Sequence, residues 1–221
     1  KIEEVKAKIL ADHANLDAIL ADASVTPPPA AIEGQRADID RLFASDRYED
    51  IVREAVLRIK YQGCRWYGRE LGNCMAQALF GCTFGQKYGI LIPKRPAAEI
   101  TDCDVIVPVP KSNAARGYNV PSLLAQPLAY ALQRPVLEGA LRRSRFTKHQ
   151  AGLPLEERLA NVAGAFTAQP GCGVEGLRIL LVDDVITTGA TAAACTQALR
   201  KAGAESVFAA ALASSQWQGE A

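Results

Sequence analysis

The sequence predicts an α/β fold: a doubly wound, mostly parallel sheet with a helical appendage at its N-terminal end. Two observations support this prediction. From residue 104 to residue 213, short runs rich in β-branched residues alternate with stretches of helical periodicity, which is typical of strands joined by helices. The run at residues 178–182 is apolar throughout, as in a parallel strand buried on both faces. Such sheets bind ligands at the carboxyl ends of their strands, so functional residues are expected there.

Length and composition restrict the class of protein. The chain has 221 residues, 49% apolar and 22% charged, with 25 basic against 24 acidic residues. Folding a chain of this length removes roughly 70% of its unfolded surface from water, which is enough for one main domain. The composition excludes a disordered chain and a broadly basic nucleic-acid coat. No run of 18 apolar residues occurs and charges are spread through residues 1–22, so we expect no membrane span, no secretion signal and a cytoplasmic location.

The first 34 residues are interpreted as a helix followed by a linker. Ile2, Val5 and Ile9 lie near helical spacing, and three prolines from Pro27 onward prevent the helix from continuing. The sequence leaves open whether the apolar stripe packs on the main domain, on another subunit or on a fused neighbour. The resulting division is an appendage at 1–34 and a main domain at 35–221, the latter with a helical part at 35–90 and the sheet core at 100–213.

Periodicity and stop signals place the elements of the main domain. Helical faces are predicted at 48–59, 67–78, 120–131 and 192–202, and strands at 104–110, 135–137, 165–167, 178–182 and 206–213. Residues 81–89 are expected to form a loop, and the long polar segment that runs to about residue 159 is a candidate functional loop.

The six cysteines do not indicate a metal or disulfide framework. They are scattered without a C-x-x-C pair, so neither a zinc site nor a disulfide-stapled fold is expected. We interpret them as reduced, buried, small hydrophobic residues.

The segment at residues 182–191 has the composition of a phosphate site. It follows the apolar strand and combines two adjacent carboxylates, three threonines and a glycine at a predicted helix start. The first backbone N–H groups of a helix are unpaired and carry partial positive charge, so a phosphate can accept hydrogen bonds from them and from the threonine hydroxyls. Gly189 permits a close approach or a positive φ. The site is therefore expected to bind a phosphorylated ligand.

The adjacent acids, Asp183 and Asp184, narrow the type of ligand. Beside a bound phosphate they would repel it, so we expect them to face sugar hydroxyls or a metal held by a polyphosphate. No lysine follows the glycine as in a Walker A loop, and no G-x-G-x-x-G motif occurs. The pattern favours a phosphorylated sugar.

With its apolar strand, two acids and T-T-G-x-T loop, the chain resembles the type I phosphoribosyltransferases. The resemblance implies a type I phosphoribosyltransferase-like sheet and a site for 5-phosphoribosyl 1-pyrophosphate (PRPP). It implies that Asp183 and Asp184 are the catalytic pair and contact the ribose 2- and 3-hydroxyls. Their interaction with Mg²⁺ is expected to be indirect, through ribose or water. The residues implied for the 5-phosphate are Val185, Thr187, Thr188, Gly189, Ala190 and Thr191.

More narrowly, the chain resembles the ComF/GntX branch, the competence protein ComF family, over roughly residues 48–213. Members of this branch often carry an N-terminal four-cysteine zinc module, which this chain lacks, and commonly have glutamine where this chain has Val120. The stretches that support the resemblance are Arg58 to Tyr61, Pro108 to Pro110, Arg116 to Asn119, Arg145 to Thr147, Gln150, Leu153, Arg158, Asn161 and Phe166.

Two basic segments are candidates for the pyrophosphate. The resemblance places a pyrophosphate loop after the first sheet strand, at Val109, Pro110, Lys111 and Arg116; alternatively these charges are solvated and the prolines only stiffen a turn.

The second basic segment, residues 134–150, has five basic residues against one acidic. It could close over pyrophosphate as a flexible loop, track the backbone of single-stranded DNA with Phe146 stacking on bases, or remain a solvated loop. We do not assign catalysis to His149, because no partner for it is evident. The residues expected in the flexible loop are Arg145, Thr147, Lys148 and Gln150.

The activity expected from the resemblance is Mg²⁺-dependent phosphoribosyl transfer from PRPP to an unidentified nitrogen acceptor. The alternative is a non-enzymatic PRPP-binding regulator, or a competence or DNA-uptake accessory protein that binds single-stranded DNA. A fold relative without ligand binding is a third option. A homodimer is an expectation from the superfamily.

Overall fold

The computed structural model describes residues 41–47, 50–87, 90–93, 103–110, 116–144, 162 and 164–215. The predicted appendage at 1–34 lies outside the described residues. These residues form β1 (Arg41–Arg47), α1 (Asp50–Tyr61), α2 (Tyr67–Phe80), β2 (Phe84–Lys87), β3 (Ile90–Pro93), β4 (Val105–Pro108), α3 (Val120–Leu132), β5 (Leu141–Arg143), β6 (Phe166–Ala168), β7 (Arg178–Ile186), α4 (Ala190–Lys201) and β8 (Ser206–Ser214).

The main sheet is parallel throughout its described strands, in the order β1-β8-β7-β4. An isolated parallel bridge from Val136 to Ile106 continues it beyond β4, where a short strand was predicted. Two antiparallel pairs, β2 with β3 and β5 with β6, stand apart from this sheet. The predicted mostly parallel α/β fold is confirmed.

Four strands fall where the sequence predicts none. β1 lies in the part expected to be helical, the β2–β3 pair begins in the expected loop at 81–89, and β5 lies in the expected polar segment. β1 is an edge strand, hydrogen-bonded only to β8 in the described sheet, and edge strands carry polar residues without the apolar alternation that reveals inner strands. The sequence pattern therefore gave no signal for it.

The sheet is covered on both faces, which explains its apolar inner strands. On one face, Leu180 and Val182 belong to a core cluster with residues from α1, α2 and α3. On the other, Ile179 and Leu181 pack with α4 and the β5–β6 pair. Successive residues of β7 thus serve opposite layers, as strand geometry requires.

Close helix packing consolidates the first layer. Gly72 of α2 lies so near α3 that an added Cβ would come within 2.2 Å of Pro127 Cγ and 2.7 Å of the Leu124 carbonyl oxygen. Only a residue without a side chain fits there. All six cysteines lie in the described residues and none forms a disulfide; five are buried and Cys172 is partly buried, as expected. No helix in the described part of the chain is both long and apolar enough to cross a membrane.

An ion pair fixes the amino ends of β4 and β7. Asp104 accepts hydrogen bonds from Arg178 through the backbone N–H (2.9 Å), Nε (3.2 Å) and Nη2 (2.9 Å), and its own N–H donates to the Arg178 carbonyl (2.7 Å). The hydrogen bonds from Arg178 lower the pKa of Asp104 from 3.8 to about 2. The charged carboxylate is therefore favoured by the folded state.

This pair makes stability depend on acid pH. Because the pKa of Asp104 is lower in the folded chain, its contribution is complete above about pH 4 and is lost as pH falls toward 2. We expect the free energy of unfolding of Asp104→Asn, measured in urea, to lie below that of the parent chain at pH 5, with the difference shrinking as pH approaches 2. A difference that stays constant across this range contradicts the assignment.

Candidate functional site

The two acids lie within β7, not after it. The sequence predicts a strand that ends at residue 182, but β7 extends to Ile186 because Val185 and Ile186 also pair with β8. Consecutive side chains of a strand point to opposite faces, so Asp183 and Asp184 face different layers. The expectation that both lie past the strand is corrected.

Asp184 is paired with a cation from the helical layer. Its Oδ1 accepts a hydrogen bond from Lys60 Nζ of α1 at 2.8 Å, and the two residues are 124 positions apart in the chain. Both side chains are largely buried. A charge-assisted contact of this kind in a desolvated place is stronger than the same pair on the surface.

Asp183 faces the layer of α4 and the β5–β6 pair. Its Oδ1 accepts a hydrogen bond from the backbone N–H of Asp184 at 2.8 Å. Burial raises the pKa of Asp183, and the negative charge of Asp184 raises it further, against the opposing charges of Lys60 and Arg143. The acid pair therefore holds its second negative charge less readily than two exposed carboxylates would, which reduces its repulsion of an anionic ligand.

The threonine-rich segment forms the connection from β7 to α4 and the first turn of α4. The connection has three residues, and Gly189, with φ of 70°, takes the left-handed conformation that favours glycine. Thr188 Oγ1 accepts from the Ala190 N–H at 3.4 Å, and helical hydrogen bonding begins when the Ala193 N–H donates to the Gly189 carbonyl at 2.8 Å. The predicted helix start within the motif is confirmed.

The turn after β4 lies at the same edge of the sheet. β4 is the direct parallel neighbour of β7, and the Val109 N–H donates to the Val182 carbonyl at 2.9 Å. Val109 and Pro110 therefore stand beside the part of β7 that leads into the acid pair. Lys111 lies outside the described residues.

Arg116 and Tyr118 contact the last turn of α1. Arg116 Nε donates to the Lys60 carbonyl at 3.0 Å, and its guanidinium lies 5.9 Å from the ring centroid of Tyr61. The Tyr118 hydroxyl donates to the Ile59 carbonyl. Arg116 Nε therefore supports the helix end that carries Lys60, and a contact of Arg116 with pyrophosphate stays a prediction.

Asn119 and Val120 complete this segment. Asn119 Nδ2 donates to the Val109 carbonyl and to Ser122 Oγ, both at 2.9 Å, and so joins the segment to the turn after β4. Val120 is buried in the core cluster beneath α1 and α2, so the residue that replaces the usual glutamine packs against apolar neighbours.

Only the start of the basic segment is described. Arg142 Nε donates to Thr167 Oγ1 at 3.2 Å, and the guanidinium of Arg143 lies 4.8 Å from the ring centroid of Phe166. These two arginines belong to the β5–β6 pair. The residues expected in the flexible loop, Arg145, Thr147, Lys148 and Gln150, lie outside the described residues, as does His149.

Lys60 is the residue that the sequence analysis did not assign to the site. Its stretch, Arg58 to Tyr61, supports the family resemblance, but a lysine on a helical face more than a hundred residues from the motif gives no local signal of an ion pair. The pairing depends on α1 packing over the end of β7.

Comparison with solved structures gives distant similarity. The chain is 26% identical to glutamine phosphoribosylpyrophosphate amidotransferase from B. subtilis, with a TM-score of 0.39, over 65% of this chain and 25% of that one.

Curated proteins give longer matches. The chain is 30% identical over 177 residues to competence protein F of Haemophilus influenzae, covering 78% of this chain and 72% of that protein. It is 38% identical to the DNA utilization protein YhgH of Salmonella typhimurium, over 47% of this chain and 46% of that protein, and so spans less than half of this relative.

The phosphoribosyl transferase domain family matches residues 102–219, a range that contains β4, the turn after it, the acid pair and the start of α4. With this match and the extended similarity to competence protein F, the chain belongs to the phosphoribosyl transferase domain family, in the branch that includes competence protein F.

Proposed function

We propose that the chain binds PRPP with Mg²⁺ and transfers its phosphoribosyl group to a nitrogen acceptor. One observation carries the proposal: an acid pair, a helix N-terminus reached through a threonine-rich turn and the turn after a neighbouring strand meet at one edge of a parallel sheet. Each part suits a different portion of the same ligand.

The start of α4 suits the 5-phosphate. Backbone N–H groups at a helix start attract an anion, and Thr187, Thr188 and Thr191 add hydroxyls around them. The left-handed Gly189 allows the turn to approach a phosphate closely. We assign Val185 and Ala190 to the same cradle through their backbone.

The acid pair suits ribose hydroxyls and a divalent cation. Carboxylate oxygens are ligands that Mg²⁺ prefers, so Asp183 and Asp184 fit it in type. Lys60 already occupies Asp184 Oδ1, and the described residues contain no group of three or more metal-binding side chains. The fit is therefore to a cation that takes its other ligands from PRPP and water, and when bound it would supply positive charge against the pyrophosphate.

The transfer would break the bond from ribose carbon 1 to the pyrophosphate oxygen and form a bond from carbon 1 to the acceptor nitrogen. Asp183 and Asp184 would stabilise the positive charge that develops on the sugar. The turn at Val109 and Pro110 would receive the departing pyrophosphate through the charge of Lys111, because the Val109 N–H already donates to the Val182 carbonyl and proline has no N–H. The loop residues Arg145, Thr147, Lys148 and Gln150 are proposed to exclude water from the site.

Ligand binding is the first test. We expect calorimetry to detect PRPP binding in the presence of Mg²⁺, and the double variant Asp183→Asn, Asp184→Asn to weaken it at least tenfold, about 1.4 kcal/mol, because both sugar contacts are altered. The matched control is Glu175→Gln, Glu205→Gln, the same chemical change at two exposed positions outside the site. Equal affinity in the two double variants contradicts the assignment.

Turnover is the second test. The chain is incubated with PRPP, Mg²⁺ and one nucleobase at a time from a panel. We expect pyrophosphate release only in the mixture that contains the acceptor, since transfer requires a nucleophile at carbon 1. The Asp183→Asn, Asp184→Asn variant should release none. Release from every mixture, including those without a base, would indicate hydrolysis instead of transfer.

A second candidate is a PRPP-binding accessory protein that acts on single-stranded DNA without turnover. The names of two relatives, competence protein F and DNA utilization protein, favour it. This candidate predicts PRPP binding without pyrophosphate release, together with binding of a single-stranded oligonucleotide that weakens steeply between about 50 and 200 mM salt. Fluorescence anisotropy of a labelled oligonucleotide across this salt range checks it, and absence of DNA binding at low salt excludes it.

A further inference from the structure

The ion pair between Lys60 and Asp184 joins two layers of the molecule at the acid pair. The two side chains are 20% and 11% exposed, and the contact is 2.8 Å long. Lys60 holds Asp184 through Oδ1 alone; within the described part of the chain, Oδ2 has no hydrogen-bond donor. One carboxylate oxygen is thus fixed by the protein and the other is left for a ligand.

Lys60 is itself held in place through its backbone. It is the penultimate residue of α1, and the carbonyls of Ile59 and Lys60 accept hydrogen bonds from Tyr118 and Arg116. The Arg116 guanidinium also lies over the ring of Tyr61. Three consecutive residues at the end of α1 are therefore contacted by one short segment, which limits where the Lys60 ammonium can reach.

The same segment also contacts the turn proposed for pyrophosphate. Asn119 donates to the Val109 carbonyl at 2.9 Å, and its Oδ1 is buried with no hydrogen-bond partner among the described residues. Residues 116–119 thus connect the support of Asp184, through Lys60, with the support of the turn after β4. Residues 116–119 therefore support both the ribose part and the pyrophosphate part of the proposed PRPP site.

We propose that Lys60 is a positioning residue for Asp184: its ammonium holds one carboxylate oxygen and directs the other to a ribose hydroxyl, and residues 116–119 fix Lys60 in that position. The inference rests on the proposed function, since it names a determinant of the ribose part of the same site. It gives a role to the stretch Arg58 to Tyr61 and to Arg116 and Tyr118.

The electrostatic reason is the acid pair itself. Two adjacent carboxylates in a largely buried place repel each other, and removal of the counter-ion would leave an uncompensated charge. Lys60 supplies one positive charge at Asp184 from within the chain. The Asp184 carboxylate is therefore held in one orientation before the ligand binds, which reduces the loss of side-chain entropy on binding.

The test compares ligands that contain different parts of PRPP. Affinities for PRPP, ribose 5-phosphate and inorganic pyrophosphate, each with Mg²⁺, are measured by calorimetry for the parent chain, Lys60→Met and Lys60→Arg. We expect Lys60→Met to weaken both ribose-containing ligands about tenfold or more, in the range of a charge-assisted hydrogen bond, and to change pyrophosphate affinity much less. Lys60→Arg should recover part of the loss, because it restores the charge with a different geometry.

A matched control and a second variant separate positioning from general damage. Lys201→Met makes the same change at an exposed position on α4 and should leave all three affinities unchanged. Tyr118→Phe keeps the ring and removes the hydroxyl that holds the Ile59 carbonyl, and should weaken the ribose ligands in the same direction by a smaller factor. Equal weakening of pyrophosphate and ribose 5-phosphate by Lys60→Met would overturn the positioning role.

A double-mutant cycle tests the pair without any ligand. The free energies of unfolding of Lys60→Met, Asp184→Asn and the double variant should be non-additive, since each single change removes the same ion pair. Additive changes overturn the ion pair and the inference with it. If the parent chain binds neither PRPP nor ribose 5-phosphate, the proposed function fails and the inference falls with it; if it binds both and Lys60→Met binds them equally well, only the inference fails.

Discussion

The burial of β7 on both faces is the constraint on which the rest of the structure depends. β7 lies between β4 and β8 in a parallel sheet, with helices α1 to α3 over one face and α4 with the β5–β6 pair over the other. Its apolar residues fill both layers, and the acids that follow in the same strand are carried into places with little water. The raised pKa of Asp183 and the ion pair of Asp184 both result from this burial.

Because the acids alternate across the strand, the two layers have different roles at the site. The helical layer supplies a cation, Lys60, to Asp184. The opposite layer desolvates Asp183 and supplies the start of α4, where backbone amides can meet an anion. β7 therefore presents two adjacent carboxylates with different electrostatics: Asp184 is paired with Lys60, and Asp183 is less readily ionised. This arrangement suits a ligand that carries both hydroxyls and phosphates.

The segment at residues 116–119 shows how local side chains support a site from a distance. Arg116 and Tyr118 act on backbone carbonyls of α1, and Asn119 acts on the carbonyl of Val109. Backbone carbonyls are fixed by the helix and the turn to which they belong, so these contacts set the position of whole elements. These basic, aromatic and amide side chains thus support the scaffold around the acid pair.

The sequence by itself determined the central strand, the threonine-rich turn, the start of α4 and the mostly parallel sheet, because an apolar run and a glycine at a helix start are local signals that neighbouring residues specify. It did not reveal β1 or β5, whose strand conformation depends on hydrogen bonds to distant partners and not on their own apolar pattern. Only the tertiary structure decided that Asp183 and Asp184 face opposite layers and that Lys60 meets Asp184. The reason is physical: a contact across 124 residues is set by how α1 packs on the sheet, and no spacing along the chain encodes that distance.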